Sequence, residues 1–297
     1  MEKNIALVLS GGGARGISHI GAIEVLEKEG FKIASVTGTS MGALVGGIYA
    51  LGKLNEFKEW IITLDKLKIF SLIDFTLSSQ GLVKGDKLLN KMKDFIPDAN
   101  IEDLKIHYAA VATDIIKKRE VVFTKGSVYD AIRASIAIPT VFTPVKNDGS
   151  LLVDGGLLNN LPINRAKRTN GDLLVAVNVN ASIPVYRPRM TQEESALQES
   201  VYLKKVKGFN AHLKKIRQQN HHETMGYFDL ISKTIGIMLN HNVETSLERH
   251  PVDVLINISR DTCGTYDFFK AEELIEIGKH AAYESIKDLK AIKKNSY

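Results

Sequence analysis

The stretch that decides the fold is IALVLSGGGARGISHIGAIEVLEKEG, residues 5–30. It opens with five apolar residues in a row, a pattern typical of a strand buried on both faces of a parallel sheet. A serine and three glycines follow, and apolar residues then recur at helical spacing until Gly30, where a helix C-cap is expected. The stretch therefore predicts a strand, a glycine-rich loop and a helix.

The rest of the chain repeats this alternation. Residues 33–37 predict a second short strand, and residues 40–51, rich in Ala and Gly, predict a helix packed closely on its neighbours. Such alternation predicts an α/β protein with a layered sheet, and we expect residues 1–297 to form a single domain. Further strands are predicted at residues 108–113, 121–124, 151–154, 173–179 and 252–258, and further helices at residues 55–64, 85–95, 127–135 and 271–294.

Composition excludes several classes of protein. A formal net charge of +5 in 297 residues is too small an excess for an obligate nucleic-acid binder, so we expect no nucleic-acid partner. The single cysteine, Cys263, excludes an intramolecular disulfide. No stretch approaches the roughly 20 apolar residues of a transmembrane helix, and the N-terminus lacks the apolar core of a signal peptide. The sequence therefore predicts a cytoplasmic protein, at most peripheral to membranes.

Residues 181–250 carry no strand signal and are predicted to be helical. Within them, residues 197–217 combine an apolar stripe with interleaved lysines and one arginine. This pattern has two interpretations: an amphipathic helix that covers the sheet with its lysines in solvent, or a basic helix that contacts anionic lipid as a lid or membrane-docking segment. A second apolar stripe, in residues 225–238, predicts a helix packed on the core. Residues 251–297 are expected to supply the last strand and a C-terminal helix.

Residues 38–42, Gly-Thr-Ser-Met-Gly, place Ser40 between two glycines at a strand-to-helix turn. A nucleophilic serine needs such a turn to project its hydroxyl, and Gly38 and Gly42 allow the backbone to make it. A second interpretation is that Ser40 only caps the helix that follows, because N-cap serines satisfy the first helical amides.

The loop of residues 10–16 also matches Gly-x-Gly-x-x-Gly, which suggests dinucleotide binding. That function requires an acidic residue at the end of the second strand, and residues 33–37 contain none. We therefore favour a different use for the loop: the amides of Gly11, Gly12 and Gly13 converge on an oxyanion at the carboxyl edge of the sheet.

Asp154 is the candidate general base. It ends the predicted strand 151–154 and precedes Gly155 and Gly156, and the strand end would point it toward the same sheet edge as Ser40 and the glycine loop. Burial there would raise its pKa and make it a better base. Two alternatives stay open: Asp154 is a simple turn residue, or a histidine, His241 or His250, is the base of a Ser-His-Asp triad.

The three motifs at residues 11–16, 38–42 and 154–156, in this order, resemble the patatin-like phospholipase family. Further stretches resemble it as well, at residues 18–21, 112–114, 133–139 and 160–162. The resemblance covers residues 5–180. It implies a three-layer α/β/α patatin-like fold with a mostly parallel central sheet.

The resemblance also implies a function and its residues. Members of the family hydrolyse acyl esters of lipids with a Ser-Asp dyad and without a metal or organic cofactor, so Ser40 would be the nucleophile and Asp154 the base. Phospholipid or another acyl-ester lipid would be the substrate. The resemblance assigns the oxyanion hole to Gly11, Gly12 and Gly13, support of the loop or of an anionic head group to Arg15 and Gly16, motif positions to Gly38, Gly42, Gly155 and Gly156, and helix packing to His19. A Ser-His-Asp esterase and a non-catalytic lipid-surface protein with the same fold remain alternatives.

Overall fold

The strands of this computed structural model form one mixed sheet. The model describes residues 3–72, 85–139, 141–169, 171–188 and 227–294. The chain divides into two compact units. The first consists of Met1–Tyr186 and Ile235–Tyr297 and contains the whole sheet, and the second is Arg187–Thr234. The strands are β1 (Lys3–Leu9), β2 (Phe31–Thr39), β3 (His107–Asp114), β4 (Arg119–Phe123), β5 (Val145–Asn147), β6 (Ser150–Asp154), β7 (Leu173–Ala181) and β8 (Val254–Ser259).

The sheet is parallel at its centre and antiparallel at one side. Its strand order is β5-β6-β3-β2-β1-β7-β8, and β4 also pairs with β3. The strands β3, β2, β1, β7 and β8 run parallel to one another, while β4 and β6 run antiparallel to β3. The predicted mostly parallel α/β sheet is therefore confirmed.

Helices cover both faces of this sheet. The two core clusters divide β1 between them, with Ile5, Leu7 and Leu9 in one and Ala6 and Val8 in the other. This explains why the strand is apolar at every position rather than at every second one. The helices are α1 (Ser18–Lys28), α2 (Met41–Ala50), α3 (Leu54–Ile62), α4 (Lys66–Ser71), α5 (Asp86–Lys93), α6 (Val128–Ser135), α7 (Gly156–Asn159), α8 (Tyr227–Arg249) and α9 (Ala271–Lys294).

Most predicted elements are confirmed, with some exceptions. No pattern in the sequence predicted the short helices α4 and α7 or the strand β5, which forms a hairpin with β6. Most of the second apolar stripe lies on α8, where Ile231 and Ile235 are half-buried and Met238 is 43% exposed, and α8 contributes the buried Val243 to the core. The predicted basic helix at residues 197–217 lies outside the described residues.

Candidate active site

Ser40 forms the turn between β2 and α2. Its backbone has φ 55° and ψ −124°, a left-handed conformation that residues with a Cβ rarely adopt. Strain of this kind is concentrated at functional sites, and a strained strand-to-helix turn is how a nucleophilic serine is presented at the top of a sheet. The local backbone is thus suited to a nucleophile.

Gly38 and Gly42 allow this turn to close. A Cβ on Gly38 would overlap the carbonyl oxygen of Gly42, and a Cβ on Gly42 would overlap the carbonyl oxygen of Leu9 at the end of β1. Any side chain at either position would therefore force the turn apart. The close approach of two backbone segments explains why both positions are glycine.

Ser135, at the end of α6, holds the backbone of this turn. The N–H of Ser40 donates to Ser135 Oγ at 2.9 Å, and the Ser135 hydroxyl donates to the carbonyl of Val111 in β3 at 2.6 Å. The side chain of Ser40 makes no capping hydrogen bond to α2. The interpretation of Ser40 as a helix cap is therefore wrong.

Asp154 reaches Ser40 by a route different from the one predicted. Because β6 runs antiparallel to β3, its carboxyl end points away from the edge at which β2 ends. However, Asp154 pairs with Ala112 of β3. On the other side of β3, Thr39, which precedes Ser40, pairs with Val111. Asp154 and Ser40 therefore lie at the same level on either side of β3. The two side chains meet because β6 stops partway along β3.

The Asp154 carboxyl group is buried and has a raised pKa. Burial raises the pKa from 3.8 to about 6, while hydrogen bonding from the Ser40 side chain and from the Gly156 N–H lowers it in part. The Gly156 N–H donates to Oδ1 at 2.8 Å. Oδ2 has no partner of standard hydrogen-bond geometry among the described residues, so the contact with Ser40 is close but not fully formed. At neutral pH this carboxylate is ionised and more basic than an exposed one.

Gly155 lets the strand that carries Asp154 pack against β3. A Cβ on Gly155 would overlap the carbonyl oxygen of Val111, which also accepts the hydrogen bond from Ser135. The turns of Ser40 and Asp154 are thus both fixed against the same carbonyl group.

The glycine loop supplies fewer free amides than predicted. The N–H of Gly11 donates to the backbone carbonyl of Asn160 at 3.0 Å, so the assignment of Gly11 to an oxyanion hole is wrong. The N–H groups of Gly12 and Gly13 meet no acceptor in the described part of the chain. These two amides remain available for an oxyanion.

Arg15 braces the loop. Its Nε donates to the carbonyl of Val179 and its Nη2 to Asn180 Oδ1, both at 3.1 Å. The side chain of Asn180 in turn donates to the Gly11 carbonyl at 2.7 Å. With its donors directed at the end of β7, the guanidinium fits the bracing role rather than attraction of a head group.

His19 and Gly16 support the same loop from α1. His19 Nε2 lies 2.8 Å from the carbonyl oxygen of Ser10, and complete burial lowers the His19 pKa to about 4. The ring is therefore neutral near pH 7 and fixes the residue that precedes Gly11, a role beyond helix packing. A Cβ on Gly16 would overlap the side chain of Met41, so Gly16 lets the loop pack against the serine turn.

The two candidate triad histidines are not bonded to this arrangement. His241 is exposed on α8, and His250 follows its last turn. Neither ring forms a hydrogen bond with Ser40 or Asp154. The structure brings a carboxyl group to Ser40 and gives no imidazole that role among the described residues.

An apolar pocket lies beside the serine turn. It has a volume of about 210 Å³ and is lined almost wholly by apolar atoms. Gly13 and Met41 connect it to the loop and to the serine turn. The opposite walls come from α2, α3, α5 and the segments after α6 and β8, with the side chains of Leu44, Phe57, Trp60, Ile61, Leu88, Met92, Val141, Phe142 and Phe268.

Three residues that support the site, Ser135, Asn160 and Asn180, are not predicted from the sequence. Ser135 and Asn160 lie in stretches that resemble the family, residues 133–139 and 160–162. This resemblance was the one feature of the sequence that could have indicated a role for them. Their contacts join segments that are distant along the chain, so no local pattern predicts them.

Comparisons with known proteins agree with the motifs. A family model described as patatin-like phospholipase matches residues 7–167. An uncharacterized NTE family protein of Mycobacterium tuberculosis is 33% identical, over 96% of this chain and 92% of its own length. Lysophospholipase NTE1 of Candida glabrata is 27% identical over 92% of this chain and 15% of its own length. The crystal structure of VipD from Legionella pneumophila aligns with 97% of this chain and 67% of its own, at a TM-score of 0.49 and 16% identity.

The helices of the described residues do not meet the requirements of a bilayer-spanning segment. Within the described ranges, none combines the length and the apolar character that crossing a membrane would require.

Proposed function

The chain belongs to the patatin-like phospholipase family, and from this membership we propose that it hydrolyses fatty-acyl esters of lipids through a Ser40–Asp154 dyad. The observation that carries the proposal is the pairing of a strained, uncapped serine with a buried carboxyl group whose pKa is raised to about 6. The name of the yeast relative, a lysophospholipase, supports a lipid with one acyl chain as the substrate.

The proposed reaction has two steps. As Ser40 Oγ attacks the ester carbonyl carbon, Asp154 accepts the hydroxyl proton, and the N–H groups of Gly12 and Gly13 stabilise the oxyanion. The carbon–oxygen bond to the alcohol breaks, the alcohol takes the proton from Asp154, and acyl-Ser40 remains. Water then attacks this ester with Asp154 as the base, which releases the fatty acid and restores the Ser40 hydroxyl.

The apolar pocket supports the choice of a fatty acyl group. An acyl chain gains about 0.8 kcal/mol for each methylene that leaves water, whereas a polar head group would lose its hydration there. Because Gly13 and Met41 line the pocket next to the loop and the serine turn, a chain bound in it would place its ester near Ser40.

The test is hydrolysis of p-nitrophenyl octanoate and of a lysophospholipid by variants of the two dyad residues. We expect Ser40→Ala and Asp154→Asn to lower kcat/KM by at least about 10³-fold, as when a member of a catalytic triad is removed. Asp130→Asn, a change at an exposed acid, is the matched control and should retain full activity. A dyad variant that folds cooperatively and keeps a tenth of the wild-type rate would contradict the proposal.

Two further measurements separate the alternatives. His241→Ala and His250→Ala should be fully active, and a large loss in either would instead support a Ser-His-Asp triad. A fluorophosphonate should label wild-type protein at Ser40. Absence of labelling in folded protein would support a non-catalytic lipid-surface protein.

A further inference from the structure

Asn160 carries a buried hydrogen-bond donor without a partner. The residue is 2% exposed, and its side-chain Nδ2 meets no acceptor among the described residues. Buried polar groups in native proteins are nearly always paired with protein or with water. An orphaned amide next to a reaction centre is therefore a candidate for contact with a reacting group.

The side chain of Asn160 lies between the two turns that carry Ser40 and Asp154. A Cβ on Gly156 would lie 2.9 Å from Asn160 Oδ1 and 3.1 Å from Asp154 Oδ1, so both oxygens border the same position. On the other side, a Cβ on Gly11 would overlap Asn160 Oδ1 and lie 3.0 Å from Ser40 Cβ. The amide thus fills the space between the two glycines.

The backbone of Asn160 fixes this position. Its carbonyl accepts the Gly11 N–H, so the residue is tied to the glycine loop as well as to α7, whose last residue precedes it. The backbone of Asn160 is consequently fixed beside the glycine loop, which keeps its side chain next to the serine turn.

The neighbouring side chain of Asp154 carries a second orphaned atom. Asp154 Oδ2 is a buried acceptor without a partner of standard geometry, and Asn160 Nδ2 is a buried donor. One donor and one acceptor on neighbouring side chains are the minimum that holds a water molecule in a polar site. The reaction that requires a held water is hydrolysis of the acyl-enzyme.

We propose that Asn160 is a catalytic residue of deacylation, which rests on the proposed function of the Ser40–Asp154 pair. Nδ2 donates to the oxygen of the attacking water, and Asp154 Oδ2 accepts one of its protons. The water oxygen forms a bond to the acyl carbon, the bond from that carbon to Ser40 Oγ breaks, and the proton on Asp154 passes to Ser40 Oγ. The fatty acid leaves with the water oxygen.

The proposal distinguishes the two steps of the reaction. Acylation uses the Ser40 hydroxyl as the nucleophile and needs no water, so loss of the Asn160 donor should leave it largely intact. Deacylation depends on a water molecule that the donor orients, and loss of one such oriented donor typically costs about 10²-fold or more in rate. The acyl-enzyme should therefore accumulate.

The experiment measures the two steps separately in the full-length protein. Asn160→Ala is mixed with p-nitrophenyl octanoate in a stopped-flow instrument, and the fraction of protein carrying an octanoyl group at steady state is read by intact-protein mass spectrometry. We expect a rapid release of about one equivalent of p-nitrophenol, and a ratio of acyl-enzyme to free enzyme at least about tenfold above wild type. Fluorophosphonate labelling of Ser40 should stay within about threefold of the wild-type rate.

Matched variants control for structural damage. Asn160→Leu nearly keeps the size of the side chain, removes the donor and adds no charge beside Asp154, so it should accumulate acyl-enzyme even if Asn160→Ala folds poorly. Asn159→Ala changes the neighbouring asparagine, whose Nδ2 already donates to Asn164 Oδ1 at 2.8 Å. This control should leave the acyl-enzyme fraction unchanged.

The results distinguish this inference from the function on which it rests. If Ser40→Ala is inactive but the Asn160 variants slow labelling and turnover equally, or change neither, Asn160 has no role specific to deacylation. If Ser40→Ala stays active, the proposed function itself is wrong. Added hydroxylamine, which does not need a held water, should restore turnover in Asn160→Ala but not in Ser40→Ala.

Discussion

The two sides of Ser40 differ in the chemistry that they offer a substrate. One side presents the amides of Gly12 and Gly13 and the buried carboxylate of Asp154, all fixed by main-chain contacts. The other side is a pocket of about 210 Å³ with almost no polar surface. Under the proposed function the polar side would set the rate and the apolar side the choice of substrate, so changes on the two sides should separate kcat from chain-length preference.

Beyond the dyad itself, the largest effect is expected on the polar side, at Gly12. A Cβ there would overlap Val179 Cγ2, so Gly12→Ala should displace the loop and its free amide. Loss of an oxyanion donor lowers kcat by about 10²–10³-fold, and we expect the same for every acyl chain length. Esterase assays with butanoyl and octanoyl esters measure this.

Gly236→Ala is the control for this substitution. An added Cβ at Gly236 would meet open space on α8, so activity should be unchanged. A Gly12→Ala protein that loses activity toward octanoyl esters only would contradict the division between the two sides.

On the apolar side, the pocket should set an optimum chain length. At about 0.8 kcal/mol per methylene, kcat/KM should rise about fourfold per carbon, or about 10²-fold from butanoyl to octanoyl. A cavity of 150 Å³ holds benzene, about 25 Å³ per carbon, and on that scale the pocket holds about eight carbons. The increase should therefore stop near octanoyl.

Leu44→Trp tests the pocket as the cause. Leu44 lines the pocket one turn after Ser40, and a larger side chain there removes volume. We expect kcat/KM for octanoyl esters to fall at least about tenfold while that for acetyl esters changes little. An equal loss for both esters would mean that the acyl chain binds elsewhere.

A third effect, also on the polar side, concerns stability. The buried carboxyl group of Asp154 lowers the free energy of unfolding when it is ionised. Burial raises the folded-state pKa of Asp154 from 3.8 to about 6, so between these values the folded state binds more protons than the unfolded one and stability falls as pH rises. At about 1.4 kcal/mol per pKa unit, the cost above pH 6 is about 3 kcal/mol.

Asp154→Asn should remove that cost. Urea unfolding should show the variant more stable than wild type by up to about 3 kcal/mol at pH 8, with the difference falling toward zero near pH 4. The same difference at both pH values would contradict the raised pKa. Wild-type kcat/KM should also rise about tenfold per pH unit below pH 6 and level off above it.

The smallest effect is expected at Ser135, which supports the polar side without contacting substrate. Ser135→Ala removes the acceptor of the Ser40 N–H and a donor to the Val111 carbonyl, which should lower the free energy of unfolding by about 1–3 kcal/mol. We also expect a roughly tenfold lower kcat, because the serine turn is held less firmly.

Ser285→Ala is the matched control, since this hydroxyl donates to the carbonyl of Ala281 at 2.9 Å. It should lower stability without lowering kcat. If Ser135→Ala affects stability alone, Ser135 has only a structural role.

The sequence predicted much of the site because its signals are local. A strained turn such as that of Ser40 requires glycines two positions before and after it, and a strand buried on both faces requires an uninterrupted apolar run. Continuous sequence motifs therefore reveal the Gly-x-Ser-x-Gly turn, the glycine loop and the strand before it. Their order along the chain was enough to identify the family, which the comparisons confirm.

Other features depended on contacts that no local pattern encodes. The sequence predicted that Asp154 ends a strand, but only the pairing of β6 with β3 shows that this strand runs antiparallel and stops at the level of Ser40. Likewise, three glycine amides looked equivalent until the carbonyl of Asn160 was found to engage one of them.

By itself, the sequence determined the family, the α/β architecture and the identity of the candidate nucleophile and base, because each depends on short-range backbone requirements. Only the tertiary structure decided which amides stay free, how Asp154 becomes buried beside Ser40, and that Asn160 and the apolar pocket border them. The physical reason is that burial and hydrogen-bond pairing arise between segments far apart in the chain, and these two quantities set the pKa of Asp154 and the donors that remain available.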